Sequence, residues 1–126
     1  MRVLLDTDIF IDILREYPKS LKIFKDIVNG KIIAYYSAIT EAELFSGEEC
    51  KDTEKRNAVL KLLALCTKIK VDNEIARKAG ELRRKFKVTL DDALIASSAL
   101  LLKIPLMTRN VKDFKSLPLK MIKPYD

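Results

Sequence analysis

The residues best suited to chemistry in this sequence are acidic side chains next to apolar segments. Carboxylates that are brought together repel one another, so a fold that gathers several of them usually binds a cation there. Oxygen ligands without histidine suit a hard cation such as Mg²⁺ or Mn²⁺. We therefore predict a site for Mg²⁺ or Mn²⁺, and its candidate ligands are Asp6, Glu43, Asp92 and Asp113.

Each of these acids also has a purely structural interpretation. Asp6 could cap the first helix, since Asp is a favoured N-cap residue. Glu43 fits a capping box with Thr40, and Asp92 could stabilise the positive end of the helix that it opens. Asp113 could be an exposed turn residue. The prediction of a site depends on the whole set, because all four acids adjoin strand ends or segments that are expected to be buried.

The composition excludes several classes of site. The chain has no histidine, which removes His-based acid–base catalysis, Ser-His-Asp triads and His-ligated zinc. Its three glycines are far apart in the sequence, so a Gly-rich nucleotide-binding loop is excluded. Cys50 and Cys66 form no CxxC motif, and neither a zinc site nor a disulfide framework is expected.

Length and hydropathy predict one domain over residues 1–126. The longest apolar run, residues 93–102, is too short to span a bilayer, and the first residues do not resemble a secretory signal. With two unpaired cysteines, this predicts a cytoplasmic protein without membrane contact. The net charge of +6 is compatible with a nucleic-acid partner, although a lysine-rich solvated surface is the simpler explanation.

Hydrophobic periodicity predicts strands that alternate with helices. Strands are expected over residues 2–5, 31–36, 67–71, 104–108 and 119–122. Helices are expected near residues 9–14, 21–28, 40–47, 59–66, 72–87, 91–103 and 110–115. The alternation implies a mostly parallel sheet covered on both faces, which is a three-layer α/β/α sandwich.

This architecture would bring the acids to one edge of the sheet. In open parallel sheets, ligands bind beyond the carboxyl ends of the strands. Asp6 directly follows the first predicted strand, Glu43 comes just after the second, and Asp113 follows the strand over residues 104–108. The surplus of apolar residues in the first two helices also favours a two-fold homodimer.

Four segments of the chain resemble the signature blocks of PIN-domain nucleases. They are VLLDTDIFID, SAITEAELFSG, LDDALIASSALL and LMTRNVKDF, and each carries one of the four acids. Within this superfamily the sequence is most similar to the VapC toxins of prokaryotic toxin–antitoxin pairs. The resemblance implies a PIN-like fold and a metal-dependent endoribonuclease that acts on RNA, is frequently a homodimer and is frequently inhibited by a small antitoxin. It also implies that the four acids are both the catalytic residues and the metal ligands.

The resemblance assigns supporting roles as well. Thr7, Thr108 and Asn110 match polar positions that support the acids in this family. The sequence departs from the family pattern at Asp8, where Ser or Asn is more common. Asp8 could add negative charge to the site or point outward, and Asp91 has the same ambiguity.

The predicted helix over residues 72–87 displays a basic stripe suited to RNA phosphates, although a solvated cationic face is the alternative. The candidate RNA-binding residues are Arg77, Lys78, Arg83 and Arg84. Phe10 and Tyr17 could stack on bases, but Phe10 also fits a core position. Asp12 is expected on the polar side of the first helix, where its substitution should have little effect.

Other functions stay open at this point. The D-x-D pattern of Asp6 and Asp8 also resembles the nucleophile motif of haloacid-dehalogenase-type phosphohydrolases, but Phe10 and the short chain count against that family. A non-toxin RNA-processing nuclease of the PIN type fits the same motifs. A non-catalytic binding module is disfavoured, because four acids would repel RNA in the absence of a cation.

Overall fold

A computed structural model describes residues 1–125 of the chain and contains a five-stranded sheet. Its strands are β1 (Arg2–Leu5), β2 (Ile33–Ser37), β3 (Thr67–Ile69), β4 (Leu106–Met107) and β5 (Met121–Ile122). Their order across the sheet is β3-β2-β1-β4-β5, and every neighbouring pair is parallel. Helices cover both faces, so the predicted three-layer α/β/α sandwich is confirmed.

Helices connect the strands in the predicted order. They are α1 (Thr7–Leu14), α2 (Leu21–Val28), α3 (Ala38–Phe45), α4 (Thr53–Ala64), α5 (Asn73–Phe86), α6 (Leu90–Leu102) and α7 (Val111–Phe114). The strand predicted at residues 31–36 is shifted toward the C-terminus and becomes β2. The strand predicted at residues 119–122 is shortened to its last two residues, which form β5. Within residues 1–125, no helix has the length and apolar character that a membrane crossing requires.

The strand β1 lies between two apolar cores, because consecutive side chains of a strand point to opposite faces of the sheet. Val3 and Leu5 pack with residues of α1, α2 and α4. Leu4 packs with residues of α5 and α6 on the other face. All three side chains are completely buried, which explains why this strand has a continuous apolar sequence instead of an alternating one.

The strand order reverses next to β1. The chain builds β2 and β3 on one side of β1, then crosses over and builds β4 and β5 on the other side. Such a reversal leaves a crevice at the carboxyl ends of the two strands that flank it, here β1 and β4. Asp6 directly follows β1 and Thr108 directly follows β4, so both residues lie at this crevice.

Candidate active site

Asp6 is the most buried of the four predicted acids, with 7% of its surface exposed. It is the N-cap of α1, and its Oδ1 accepts a hydrogen bond from the backbone N–H of Thr7 at 2.8 Å. Its Oδ2 accepts a hydrogen bond from the hydroxyl of Thr108, also at 2.8 Å. Burial raises the pKa of Asp6, and these two hydrogen bonds oppose that effect. The helix cap and a functional role are therefore compatible, because the cap orients the carboxylate.

Glu43 is held against the start of α1 by a hydroxyl group. The Thr7 hydroxyl donates to Oε1 of Glu43 at 2.7 Å and lies 2.9 Å from the hydroxyl of Thr40. Thr40 is buried within α3, and the N-cap of that helix is Ser37. The capping-box interpretation of Glu43 and Thr40 is therefore wrong. Burial raises the pKa of Glu43, and the hydrogen bond from Thr7 opposes that effect.

Asp8 points inward, toward the turn of residues 108–110. Its Oδ2 accepts hydrogen bonds from the backbone N–H of Arg109 at 3.0 Å and from the side-chain amide of Asn110 at 3.1 Å. Its Oδ1 is buried and accepts no hydrogen bond from the described part of the chain. Burial, followed by the charge of Asp6, raises the pKa of Asp8 to about 6. Of the two orientations that the sequence left open, the outward one is wrong.

Asp92 and Asp113 lie on a more open side of the site. Asp92 is half-buried in the first turn of α6, and its backbone N–H donates to the hydroxyl of Thr89 at 3.2 Å. Burial is the largest cause that raises the pKa of Asp92 to about 6. Asp113 is exposed on α7, and its charge contributes to the raised pKa values of Asp6 and Asp92. Asp91 is exposed as well, and its charge contributes to the raised pKa of Glu43.

The predicted acids therefore influence one another through space, although they come from different elements. Repulsion raises the pKa values of Asp6, Glu43 and Asp92, but in each case removal from water is the larger cause. Repulsion was the effect that the acidic residues suggested by themselves. Burial at the end of the sheet is the largest cause instead.

The donor chemistry of this site suits a hard divalent cation, since its candidate ligands are carboxylate oxygens. Within residues 1–125, no three Asp, Glu, Cys or His side chains converge closely enough to hold a metal ion by themselves. Mg²⁺ usually binds through one or two carboxylates and keeps several water molecules. The carboxylates of the site would therefore suit a hydrated divalent cation that one or two of them bind directly.

The basic residues of α5 differ in their distance from the acids. Arg83 and Arg84 are exposed in the last turn of α5, which leads through Thr89 to the start of α6 and Asp92. Arg77 lies seven residues before Arg84, about 10 Å further along the helix axis. The near and far ends of the predicted stripe are therefore not equivalent.

The structure revises the expectations for Phe10 and Asp12. Phe10 is completely buried and packs edge-to-face against Tyr36, with ring centroids 5.7 Å apart, so its core position is confirmed and the alternative of base stacking is wrong. The side chain of Asp12 is only 13% exposed and forms an ion pair with Arg109 at 2.8 Å. No spacing or motif signals this ion pair, because the two residues are far apart along the chain. Tyr17 is 40% exposed, so base stacking is sterically open to it.

Known proteins share both the sequence pattern and the fold. A ribonuclease of Mycobacterium tuberculosis, VapC19, is 28% identical over 120 residues, which cover 91% of this chain and 94% of that protein. A toxin–antitoxin complex from Klebsiella pneumoniae contains a chain with a TM-score of 0.80 and 27% identity, with 98% of each chain covered. The VapBC2 complex of Rickettsia felis, solved with a DNA fragment from its promoter, has a TM-score of 0.81, 27% identity and complete coverage of both chains, 100% in each case.

These similarities agree with a match at the level of the family. The family model described as the PIN domain matches residues 3–119, which is nearly the whole chain and includes all four predicted acids. This chain therefore belongs to the PIN-domain family.

Proposed function

We propose that this protein is a divalent-metal-dependent endoribonuclease that hydrolyses RNA phosphodiester bonds, and that it is the toxin of a toxin–antitoxin pair. The observation that supports the proposal is the arrangement of Asp6 and Glu43 at the start of α1, where the hydroxyls of Thr108 and Thr7 contact them, beside the crevice between β1 and β4. The charges of Asp92 and Asp113 act on the same group of acids. The relatives support it, since one is named a ribonuclease and two similar structures are toxin–antitoxin complexes.

The proposed chemistry follows from the charge of the substrate. A phosphodiester is negatively charged and repels an attacking nucleophile. A bound Mg²⁺ or Mn²⁺ supplies screening of that charge and activation of water. The candidate side chains for holding it are those of Asp6, Glu43, Asp92 and Asp113, of which one or two would bind the cation directly, since no three acids of the described residues converge. Hydroxyl groups then act as orienting partners, since Thr108 contacts Asp6 and Thr7 contacts Glu43.

The proposal is tested by substituting one acid from each side of the site. Asp6→Asn and Asp92→Asn should each reduce metal-dependent cleavage of RNA by more than about 100-fold, which is the upper end of the effect seen for residues that only support a metal ligand. Glu74→Gln, an exposed substitution in the first turn of α5, is the control and should keep the wild-type rate. Thermal melting should show that all variants stay folded. Wild-type cleavage by either aspartate variant would contradict the site assignment.

The phosphohydrolase alternative is disfavoured by two observations. The chain belongs to the PIN-domain family, and Asp8 is buried against the turn of residues 108–110 instead of facing an open pocket. Trapping of a phosphate ester on Asp6 would favour that alternative, whereas cleavage without a covalent intermediate favours the nuclease. A non-toxin RNA-processing role is the second candidate. Growth arrest on expression, relieved by co-expression of a small antitoxin from a neighbouring gene, would identify the toxin role.

The partners belong to the same proposal. We propose RNA as the substrate, a small antitoxin protein as the inhibitor, and a cytoplasmic homodimer of single-domain protomers as the form that binds both. Exposed apolar side chains of α2 and of the segment before it support a dimer, among them Tyr17, Leu21 and Val28. A monomer mass by light scattering at tens of micromolar, an order-of-magnitude condition for weak interfaces, would contradict the dimer.

A further inference from the structure

Arg109 connects the carboxylate site to a second point on α1. Its backbone N–H donates to Asp8 inside the site at 3.0 Å. Its guanidinium Nε lies 2.8 Å from Oδ2 of Asp12. Asp8 and Asp12 are four residues apart, so they share one face of the helix. The helix therefore holds Arg109 twice, once by its backbone and once by its side chain.

Asp12 receives a second donor from the segment that follows β5. The hydroxyl of Tyr125 donates to the same Oδ2 atom at 2.9 Å. The ring of Tyr125 packs edge-to-face against Tyr17, with centroids 5.3 Å apart. Because the side chain of Asp12 is only 13% exposed, its charge is screened less than that of a surface ion pair. The hydrogen bond from Tyr125 orients the Asp12 carboxylate, and the ion pair with that carboxylate in turn restrains Arg109.

We propose that Asp12, Arg109 and Tyr125 form a positioning strut for the carboxylate site, an inference that rests on the proposed function. The strut consists of these three side chains and acts through the turn of residues 108–110. Within that turn, the hydroxyl of Thr108 donates a hydrogen bond to Asp6. The backbone N–H of Arg109 donates a hydrogen bond to Asp8. The strut thus links the segment after β5 to the orientation of two buried carboxylates.

Loss of the strut should reduce cation affinity and cleavage at the site more than it reduces the stability of the fold. If the turn moves, a buried carboxylate oxygen of Asp6 loses its hydroxyl donor for part of the time. Partners that orient metal-binding carboxylates typically change metal affinity or activity by 10–100-fold when they are removed. Arg109 belongs to the turn, Asp12 pairs with it and Tyr125 contacts Asp12, so the strut acts on the proposed cation only indirectly, and we expect effects near the lower end of that range.

The experiment measures Mn²⁺ affinity by isothermal titration calorimetry and RNA cleavage under single-turnover conditions. Arg109→Gln should weaken Mn²⁺ binding and slow cleavage by about tenfold, with nearly unchanged KM and melting temperature. Asp12→Asn should act in the same direction. Tyr125→Phe should have a smaller effect, because it keeps the ring on Tyr17 and leaves the Arg109–Asp12 pair in place. This mild variant keeps the test valid if the others fold poorly.

Matched controls come from a second arginine–tyrosine pair. The Nε atom of Arg2 donates to the hydroxyl of Tyr35 at 3.2 Å, and this exposed hydrogen bond involves the start of β1, away from the carboxyl end where Asp6 lies. Arg2→Gln and Tyr35→Phe should leave Mn²⁺ affinity and cleavage unchanged. If Asp12 and Arg109 act as one unit, the double variant should be no worse than Arg109→Gln alone.

The outcomes separate this inference from the proposed function. If the wild type binds Mn²⁺ and cleaves RNA while the strut variants keep wild-type affinity and rate, the strut is overturned and the proposed function stands. Lower melting temperatures with unchanged Mn²⁺ affinity also overturn it, because they show a merely structural role. If the wild type neither binds Mn²⁺ nor cleaves RNA, the proposed function fails and the strut fails with it.

Discussion

The two sides of the carboxylate site are built differently. On one side, which we call the anchored side, Asp6 and Asp8 are buried and accept hydrogen bonds from the turn of residues 108–110. On the other, which we call the open side, Asp92 is half-buried and Asp113 is exposed. Both carboxylate oxygens of Asp6 accept hydrogen bonds, whereas Asp92 is bonded to Thr89 through its backbone N–H.

The difference indicates how a protein can gather acids without losing its fold. Burial raises the pKa values of Asp6, Asp8 and Asp92, so a rigid cage of ionised carboxylates would be costly without a cation. On the anchored side, hydrogen bonds offset part of the cost of burying Asp6. On the open side, water performs the same task for the exposed Asp113. Under the proposed function, the open acids would then be able to adjust to a cation and a substrate phosphate.

The largest contrast between the two sides should come from removing one hydroxyl group on each. Thr108→Val removes the donor to Asp6 and the acceptor of the Asn110 N–H, and it leaves buried polar atoms without partners. Cleavage should fall by about 10–100-fold. The free energy of unfolding should fall by about 1–3 kcal/mol. Single-turnover kinetics and urea denaturation measure the two effects.

The matched variant on the open side is Thr89→Val, which removes the N-cap hydroxyl of α6 beside Asp92. Loss of a cap costs about 1 kcal/mol of stability. Cleavage should fall by less than the anchored-side effect. The Thr89 hydroxyl also opposes the raised pKa of Asp92 through a side-chain hydrogen bond, but Asp92 is only half-buried, so water can replace that hydroxyl. Equal reduction of cleavage in the two variants would contradict the distinction between the sides.

A divalent cation should stabilise the folded protein by binding between the two sides. Binding to the folded state alone adds RT ln(1 + [L]/Kd), which is about 2.7 kcal/mol at a hundredfold excess over Kd. For a domain of this size, the melting temperature should rise on the order of 5–15 °C. Mn²⁺ should act at lower concentration than Mg²⁺, because it binds such sites more tightly.

Thermal melting of metal-free protein with and without Mn²⁺ measures this effect. Asp6→Asn should lose most of the rise, and Glu74→Gln should keep it. A wild type that shows no rise, or an Asp6→Asn variant that keeps all of it, would remove the cation from the proposed mechanism.

The amino-acid pattern is sufficient to predict the fold and the strand ends that position the acids. Short apolar runs that alternate with helical periodicity predict the parallel sheet, and a strand buried on both faces is visible in the apolar run before Asp6. Boundaries are predicted less accurately where local chemistry decides them. The sequence predicts that α3 begins at Thr40, because Thr40 and Glu43 have the spacing of a capping box, whereas the helix begins directly after Ser37.

The hydrogen bonds that hold the site cannot be predicted from sequence spacing. The hydroxyl of Thr108 reaches Asp6 across 102 positions of the chain, and Tyr125 reaches Asp12 across 113. Such pairs depend on how the sheet brings distant segments together. For the same reason, the sequence suggests a minor role for Asp12, although its side chain is only 13% exposed and forms an ion pair with Arg109.

The stability of the metal-free protein should depend on pH in a direction set by the acids. Burial raises the pKa values of Asp8 and Asp92 to about 6, so the folded protein keeps protons that the unfolded chain has released. The free energy of unfolding should therefore be highest at low pH within this range, fall as the pH rises from about 4 to about 6, and then level off.

Chemical denaturation across this pH range, in the presence of a chelator, measures the dependence. Asp92→Asn should make the fall shallower and should leave the metal-free protein more stable than the wild type at neutral pH, since it removes a charge that is unfavourable in the folded state. Stability that rises between pH 4 and pH 6 would show that hydrogen bonds outweigh burial at these carboxyls.

The smallest expected effect concerns the approach of the proposed RNA substrate to the open side. Arg83 and Arg84 lie at the end of α5 that leads to α6, whereas Arg77 and Lys78 lie further back, and Lys78 is paired with Glu81 at 3.8 Å. If the near end binds phosphates, the double variant Arg83→Gln/Arg84→Gln should raise KM severalfold with little change in kcat. It should also reduce the slope of log affinity against log salt concentration by about 0.7 for each phosphate of single-stranded RNA that is no longer neutralised.

The double variant Arg77→Gln/Lys78→Gln removes the same net charge from the far end of α5 and serves as the control. Its KM and its salt dependence should stay close to those of the wild type, because the charges that it removes lie further from the open side. Equal effects of the two double variants would mean that the stripe acts only through the overall charge of the protein. If neither double variant changes KM or the salt dependence, the basic stripe is an ordinary solvated helix face.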